Sequence, residues 1–164
     1  MGSSMFFLGV PRREIPRATL YCPKPAQRKP YAVIHPMASA ASKAWPVERF
    51  LEIARRMNDL QPVFIGGPGE DLSVFSGFEC HIGAPLETIF SLLSTASLFV
   101  GNDSGPAHMA AAFGVPSVVL FGPSNPIIWA PWRTRSQVIH SPDGLALIPV
   151  DNVWNAVEKV RAAA

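Results

Sequence analysis

The chain has 164 residues, 48% of them hydrophobic and 16% charged, and this composition predicts one folded globular domain rather than a disordered segment. No apolar run is long enough to span a bilayer, and the N-terminal stretch has neither the basic region nor the cleavage site of a signal peptide. The two cysteines, Cys22 and Cys80, fit no metal or redox spacing, which favours a reducing cytoplasm.

The net charge of +2 is unevenly divided along the chain. Residues 1–30 hold six Lys and Arg against Glu14, whereas residues 31–164 hold eight against eleven acidic residues. Five prolines in residues 11–30 predict a linker over residues 1–30, followed by a domain over residues 31–164. A basic leader can contact acidic lipid headgroups, but a solvated linker is the simpler interpretation. No aromatic residues alternate with these charges, so no nucleic-acid partner is expected.

From residue 31 onward, short apolar runs alternate with helical patterns. The predicted strands cover residues 31–35, 62–66, 79–83, 97–101, 117–122 and 136–140, and helical segments are expected at residues 47–58, 70–76, after Pro85, at residues 106–113 and after Asp151 as a cap. Strands that are apolar throughout are typical of a parallel sheet covered on both faces. We therefore expect a Rossmann-like three-layer α/β/α domain with a mainly parallel, six-stranded sheet and ligands beyond the carboxyl ends of its strands.

The segment over residues 101–108 predicts a helix start that can hold an anion. Pro106 suits a first helical turn, and Asp103 or Ser104 can cap it. The amides of Gly105, Ala107 and His108 would then point to the mouth of a site and attract phosphate. Asp103 is better placed to accept sugar hydroxyls. A plain capped helix is an equally good interpretation, and His108 can equally be a core histidine.

Two further loops carry candidate ligand contacts. Lys43, near the hydroxyl of Ser39, can reach a phosphate as a point charge, although a solvated surface lysine is the simpler interpretation. Glu70 can accept ribose hydroxyls or cap its own turn. The glycines at 66–69 do not fit a dinucleotide fingerprint, and no metal-binding motif is present, so we expect no cofactor and no metal.

Other conspicuous side chains are expected to be structural. His35, His81 and His140 each lie at the end of a predicted strand. Trp129 and Trp132 can line a cleft or pack against a neighbouring domain, and packing is the interpretation we favour.

Four motifs in order resemble glycosyltransferase family nine, the ADP-heptose:lipopolysaccharide heptosyltransferases. They are K-A-W-P at 43–46, G-G-P-G-E at 66–70, N-D-S-G-P-A-H at 102–108 and F-G-P-S-N-P at 121–126, and the similarity runs over about residues 31–160. The resemblance implies a two-domain GT-B architecture. This chain is similar to its C-terminal, donor-binding half.

The resemblance also implies roles for individual residues. Ser104 and Gly105 would bind the diphosphate, and Asp103 the sugar. Glu70 would bind the ribose. The other implied contacts are Ser39 and Lys43 to the diphosphate or sugar, Ala84, Pro85 and Leu86 to the adenine, and His108 to the nucleotide sugar. Met37 and Ala38 depart from the glycine or hydroxyl residues of many members.

In the family the inferred catalytic aspartate lies in the N-terminal domain. No catalytic residue is therefore expected in this chain, which by itself should be inactive, and Lys43 would support the transition state. The implied reaction is metal-independent and inverting, from a nucleotide sugar to a lipopolysaccharide acceptor, in the cytoplasm at the inner face of the inner membrane, with peripheral membrane contact. The alternatives are a nucleotide-sugar epimerase and a nucleotide-sugar-binding protein without catalysis.

Overall fold

The computed structural model of the chain describes residues 16–22 and 28–162. Its strands are β1 (Tyr31–His35), β2 (Gln61–Gly66), β3 (Glu79–Ile82), β4 (Leu98–Asn102), β5 (Ser117–Phe121) and β6 (Ser136–His140). Its α-helices are α1 (Val47–Arg56), α2 (Leu86–Ser94), α3 (Gly105–Phe113), α4 (Pro126–Trp129) and α5 (Val150–Ala162). Short 3₁₀ turns lie at Ala41–Lys43, Ser73–Phe75 and Leu145–Leu147.

The strands form a six-stranded sheet in the order β3-β2-β1-β4-β5-β6, and every neighbouring pair is parallel. Val33 in β1 lies opposite Val63 in β2 and Phe99 in β4. The expected α/β fold is confirmed, and the sheet is wholly parallel. The strand order reverses between β1 and β4, which opens a crevice at their carboxyl ends.

Each face of the sheet packs against helices. On one face, the strand residues Ala32 and Ile34 join a core completed by Phe50 of α1 and Val157 of α5. On the other face, a second core includes Tyr31, Val33, Leu93 of α2 and Ala110 of α3. Alternate residues of β1 thus enter opposite cores, which explains why the strand is apolar at every position.

Several element boundaries differ from the sequence prediction. Helix α1 ends at Arg56 because Met57 is already extended. A 3₁₀ turn at Ser73–Phe75 takes the place of the helix expected at 70–76. Asp151 does not cap the last helix, since it lies within the first turn of α5 and accepts a hydrogen bond from Arg56 at 2.7 Å. Helix α4 was not predicted because it is a single turn, capped by the Asn125 side chain.

Residues 16–22 have no regular secondary structure, but two of their side chains form hydrogen bonds with the domain. The Arg17 guanidinium donates to the carbonyls of Ala111 (2.8 Å) and Ala112 (3.0 Å) at the end of α3. Cys22 Sγ also donates to the Phe90 carbonyl. The remaining leader charges at residues 1–15 and 23–27 lie outside the described residues. Among the described helices, none combines the length and apolar character needed to cross a membrane.

Candidate functional site

A cleft of about 430 Å³ opens where the strand order reverses, beyond the carboxyl ends of β1, β2 and β4. Its walls come from the loops that follow these strands, from the start of α2 and from the start of α3. The lining residues include His35, Ala38, Ser39, Gly66, Gly67, Pro68, Glu70, Gly83, Ala84, Leu86, Ile89, Asp103, Ser104, Gly105, Pro106 and Met109. The three ionisable groups in this lining are His35, Glu70 and Asp103.

The start of α3 differs from the predicted cap. Ser104 occupies the N-cap position, but its side chain makes no capping hydrogen bond. The amides of Ala107 and His108 donate to the Ser104 carbonyl at 3.1 and 3.4 Å, so they do not point to the mouth of the site as expected. Within the described part of the chain, the Gly105 amide has no acceptor. Apart from its chain neighbours and the backbone of its own helix, no atom lies within 4 Å of where its Cβ would be. The helix therefore offers one open amide and a hydroxyl to a ligand.

Glu70 stabilises its own turn and also faces the cleft. Its Oε2 accepts a hydrogen bond from the Gly67 amide at 2.6 Å and lies 3.9 Å from His35 Nε2. The side chain remains 32% exposed, so its other oxygen is available to a hydroxyl donor. The capping interpretation of Glu70 is therefore confirmed, whereas its contact with ribose stays a prediction.

His35 is the central polar residue of the cleft. Its Nδ1 lies 3.1 Å from Ser104 Oγ, and the residue is 7% exposed. Burial lowers the pKa of His35 below the ordinary histidine value, and the Glu70 carboxylate opposes that shift only in part. The sequence interpretation gave His35 a structural role. The sequence does place His35 at the end of a strand. It does not reveal that the strand order reverses beside that strand, so it gave no signal that His35 lies in the cleft.

The loop over residues 36–45 is fixed to the sheet by a buried amide. Asn102, fully buried at the end of β4, donates to the Pro36 carbonyl at 2.7 Å and accepts from the Trp45 amide at 3.1 Å. Trp45 is itself fully buried and donates through Nε1 to the Ile148 carbonyl. Asn102 lies in the N-D-S-G motif, but sequence reasoning did not assign it a role. It holds both ends of the loop that carries Ser39 and Lys43.

Most of the predicted contact residues lie together, but three do not line the cleft. Seven of the predicted residues form part of the lining: Ser39, Glu70, Ala84, Leu86, Asp103, Ser104 and Gly105. Pro85 precedes α2 between two lining residues. Lys43, which is half-buried, ends a 3₁₀ turn outside the lining. His108 is not a core histidine, because its side chain is 47% exposed and lies 3.8 Å from Asp103 Oδ1.

A second groove, of about 330 Å³, lies beside α3. His108 contributes to it together with Arg17, Ile128, Trp129 and Trp132. The two tryptophans are 53% and 58% exposed, so their packing against a neighbouring domain stays a prediction. Within the described residues, no three His, Cys, Asp or Glu side chains are grouped so as to hold a metal ion.

The model of the family described as glycosyltransferase family 9 (heptosyltransferase) matches residues 11–146. The chain belongs to glycosyltransferase family 9. The resemblance of its four motifs to that family is therefore confirmed. The match begins inside the predicted linker, in keeping with the packing of residues 16–22 on α2 and α3.

Curated relatives of this family 9 chain are lipopolysaccharide heptosyltransferases. It is 30% identical to lipopolysaccharide heptosyltransferase 3 of Escherichia coli K12 over 158 residues, which cover 79% of this chain and 46% of the relative. It is 28% identical to the lipopolysaccharide core heptosyltransferase OpsX of Haemophilus influenzae, covering 65% of this chain and 34% of the relative. The chain thus spans less than half the length of these relatives.

Solved structures show the same fold. The family 9 glycosyltransferase of Veillonella parvula superposes with a TM-score of 0.75 at 25% identity, covering 83% of this chain and 47% of that one. The E. coli heptosyltransferase WaaC with ADP superposes with a TM-score of 0.74 at 22% identity, covering 84% and 46%. These neighbours are consistent with a GT-B-like half.

Proposed function

We propose that this chain is the donor-binding half of a heptosyltransferase-like glycosyltransferase, with ADP-heptose as donor and a lipopolysaccharide core as acceptor. The observation that carries the proposal is the cleft at the reversal in strand order, where the open start of α3 faces Glu70. Similarity to heptosyltransferases, among them a structure of WaaC with ADP, supports the choice of donor.

The diphosphate fits the start of α3. An open helix N-terminus attracts anions through its unpaired amide and its dipole, and Gly105 lets a ligand approach the backbone. Ser104 adds a hydroxyl beside it. Asp103, 13% exposed at the same end of β4, would repel phosphate but can accept hydroxyls of the transferred sugar.

The nucleoside fits the opposite end of the cleft. The available carboxylate oxygen of Glu70 can accept from ribose hydroxyls, as acidic residues do in dinucleotide-binding folds. Ala84, Leu86 and Ile89 form an apolar wall, and Leu86 is 50% exposed. An adenine ring placed against this wall would cover the exposed surface. Pro85 helps to fix its shape.

In the proposed reaction, an acceptor hydroxyl attacks the anomeric carbon with inversion, the bond to the diphosphate breaks, and no metal takes part. The α3 terminus would stabilise the charge that builds on the leaving diphosphate. Lys43 would add a cation once its flexible side chain or its loop turns toward the cleft. The base and the acceptor site belong to an N-terminal domain in this proposal, so the chain by itself binds donor without turnover. We place the reaction in the cytoplasm, at the inner face of the inner membrane.

Isothermal titration calorimetry with ADP-heptose, ADP and a UDP-sugar tests the donor assignment. Ser104→Ala and Glu70→Gln should each weaken ADP-heptose binding by about ten- to a hundredfold, because a hydrogen bond involving a charged group contributes about 1.5–3 kcal/mol. Ser76→Ala and Glu158→Gln, exposed positions away from the cleft, are the matched controls.

The outcomes separate the candidate functions. Binding of ADP-heptose by folded protein, lost in the cleft variants and kept in the controls, supports the proposal. Binding of a UDP-sugar with formation of its epimer would indicate an epimerase instead. If the folded protein binds none of these nucleotides, the donor assignment is wrong.

A further inference from the structure

His35 joins the two halves of the cleft through a single buried imidazole. Nδ1 lies 3.1 Å from Ser104 Oγ, and Nε2 lies 3.9 Å from Glu70 Oε2. A neutral imidazole carries one proton, so one ring nitrogen donates and the other accepts. The position of that proton therefore decides which way the Ser104 hydroxyl can point.

The carboxylate determines the position of the proton in the free protein. A deprotonated Nε2 would present its lone pair to the anionic Glu70, whereas Nε2–H is attracted to it. The favoured neutral form thus carries its proton on Nε2, and Nδ1 accepts the Ser104 hydroxyl. In this arrangement Ser104 Oγ turns only lone pairs toward the cleft, and these repel an incoming phosphate.

We propose that His35 takes up a proton at Nδ1 when a nucleoside-diphosphate sugar binds, and that this protonation redirects the Ser104 hydroxyl from His35 to the diphosphate. The inference rests on the proposed donor function. The proton comes from solvent and forms the Nδ1–H bond, which then donates to Ser104 Oγ. Ser104 keeps its own proton and rotates it toward a phosphate oxygen. No other covalent bond changes.

The charges around the His35 ring favour this uptake of a proton. The ionisable groups that line the cleft with His35 are Glu70, from the turn after β2, and Asp103, from the end of β4. Both are acidic, and a bound diphosphate adds further negative charge next to the imidazolium. In the free protein the opposing effect is burial, which lowers the pKa of His35. Because Lys43 lies outside the lining, the imidazolium would also supply the nearest positive charge to the diphosphate.

Proton uptake can be measured by titrating ADP-heptose at pH 7.5 in buffers that differ in ionisation enthalpy. ADP-heptose is used rather than ADP because a terminal phosphate itself titrates near pH 6, whereas the diphosphate of a nucleotide sugar has no such group. We expect close to one proton to be taken up. The dissociation constant should then rise with pH by at most about tenfold per unit, since a single proton is linked to binding.

Three variants identify the histidine that is responsible. In His35→Asn, an amide nitrogen at the Nδ1 position donates permanently to Ser104, so proton uptake and the pH dependence should vanish while binding persists. In His81→Gln, a change on β3 outside the cleft, both should remain. Loss of proton uptake in His108→Gln but not in His35→Asn would overturn the inference.

Nitrogen-15 NMR of the His35 ring tests the starting state without any ligand. A free protein with its proton on Nε2 supports the inference, and one with its proton on Nδ1 overturns it. In calorimetry, binding without proton uptake refutes the role of His35 while leaving the donor site intact. Failure of the folded wild type to bind ADP-heptose refutes the donor assignment and, with it, this inference.

Discussion

Replacing Asn102 with alanine should loosen the loop that carries Ser39 and Lys43. The Asn102 amide is fully buried and makes two hydrogen bonds, one to the Pro36 carbonyl and one from the Trp45 amide. Pro36 and Trp45 are both buried residues. Asn102→Ala therefore leaves the Pro36 carbonyl without its hydrogen-bond donor and the Trp45 amide without its acceptor.

The magnitude follows from the two groups left unpaired. A buried donor or acceptor without a partner costs about 1–3 kcal/mol. Since relaxation of the loop or entry of water would recover part of this, we expect a loss of about 2–4 kcal/mol in the free energy of unfolding. That is a substantial share of the roughly 5–15 kcal/mol that stabilises a typical domain. Asn152→Ala changes an exposed position in α5 and should alter the free energy of unfolding by less than about 0.5 kcal/mol.

Urea denaturation followed by circular dichroism measures these differences. Asn102→Asp adds a sharper test, because it keeps the acceptor for the Trp45 amide but directs a carboxylate at the Pro36 carbonyl. The loss in free energy of unfolding caused by Asn102→Asp should be smaller at pH 5 than at pH 8. At the lower pH the carboxyl group can be protonated and donate to the Pro36 carbonyl, whereas at pH 8 it is ionised and cannot. An Asn102→Ala protein as stable as Asn152→Ala would refute the idea that this amide holds the loop in place.

Three other perturbations have defined outcomes. Gly101→Ala should destabilise the protein by about 1–3 kcal/mol, measured by thermal unfolding, because its Cβ would lie 2.8 Å from the His35 carbonyl oxygen; an unchanged melting temperature would contradict this packing. Arg17→Ala should lower the free energy of unfolding by about 1–3 kcal/mol, because it removes the hydrogen bonds to the end of α3. Arg55→Ala, at an exposed position, is the control, and an equal effect in both variants would show that the Arg17 contacts add no stability. Between pH 7 and 5 the free energy of unfolding should fall less in His35→Asn than in the wild type. Because burial lowers the folded-state pKa of His35, the unfolded chain binds a proton first as the pH drops below about 6.5; parallel pH profiles would contradict this.

Local patterns in the sequence were sufficient to predict most of the fold. Runs such as Tyr31–His35 are apolar at every position, and such strands require cover on both faces. Glycine-rich and polar loops at the strand ends then indicated which edge carries the site. The prediction failed where the chain makes single turns, as at Pro126–Trp129, because one turn leaves no periodic pattern.

The composition of the site was harder to predict. His35, Glu70 and Ser104 lie 35 and 34 residues apart in sequence, and each follows a different strand. They meet because β1 pairs with both β2 and β4, although β3 lies between β2 and β4 in the chain. Lys43 lies in the expected loop and His108 in the expected helix, but both lie outside the cleft lining, since side-chain direction depends on the surrounding packing.

The sequence by itself determined the parallel α/β class, the loops that carry the polar residues and the family motifs, because burial and backbone preference act over a few neighbouring residues. The tertiary structure decided that Ser104 contacts His35 instead of capping α3, and that the amides of Ala107 and His108 are already paired. Those choices depend on which strands lie side by side, and strand order is set by contacts between residues far apart in the chain.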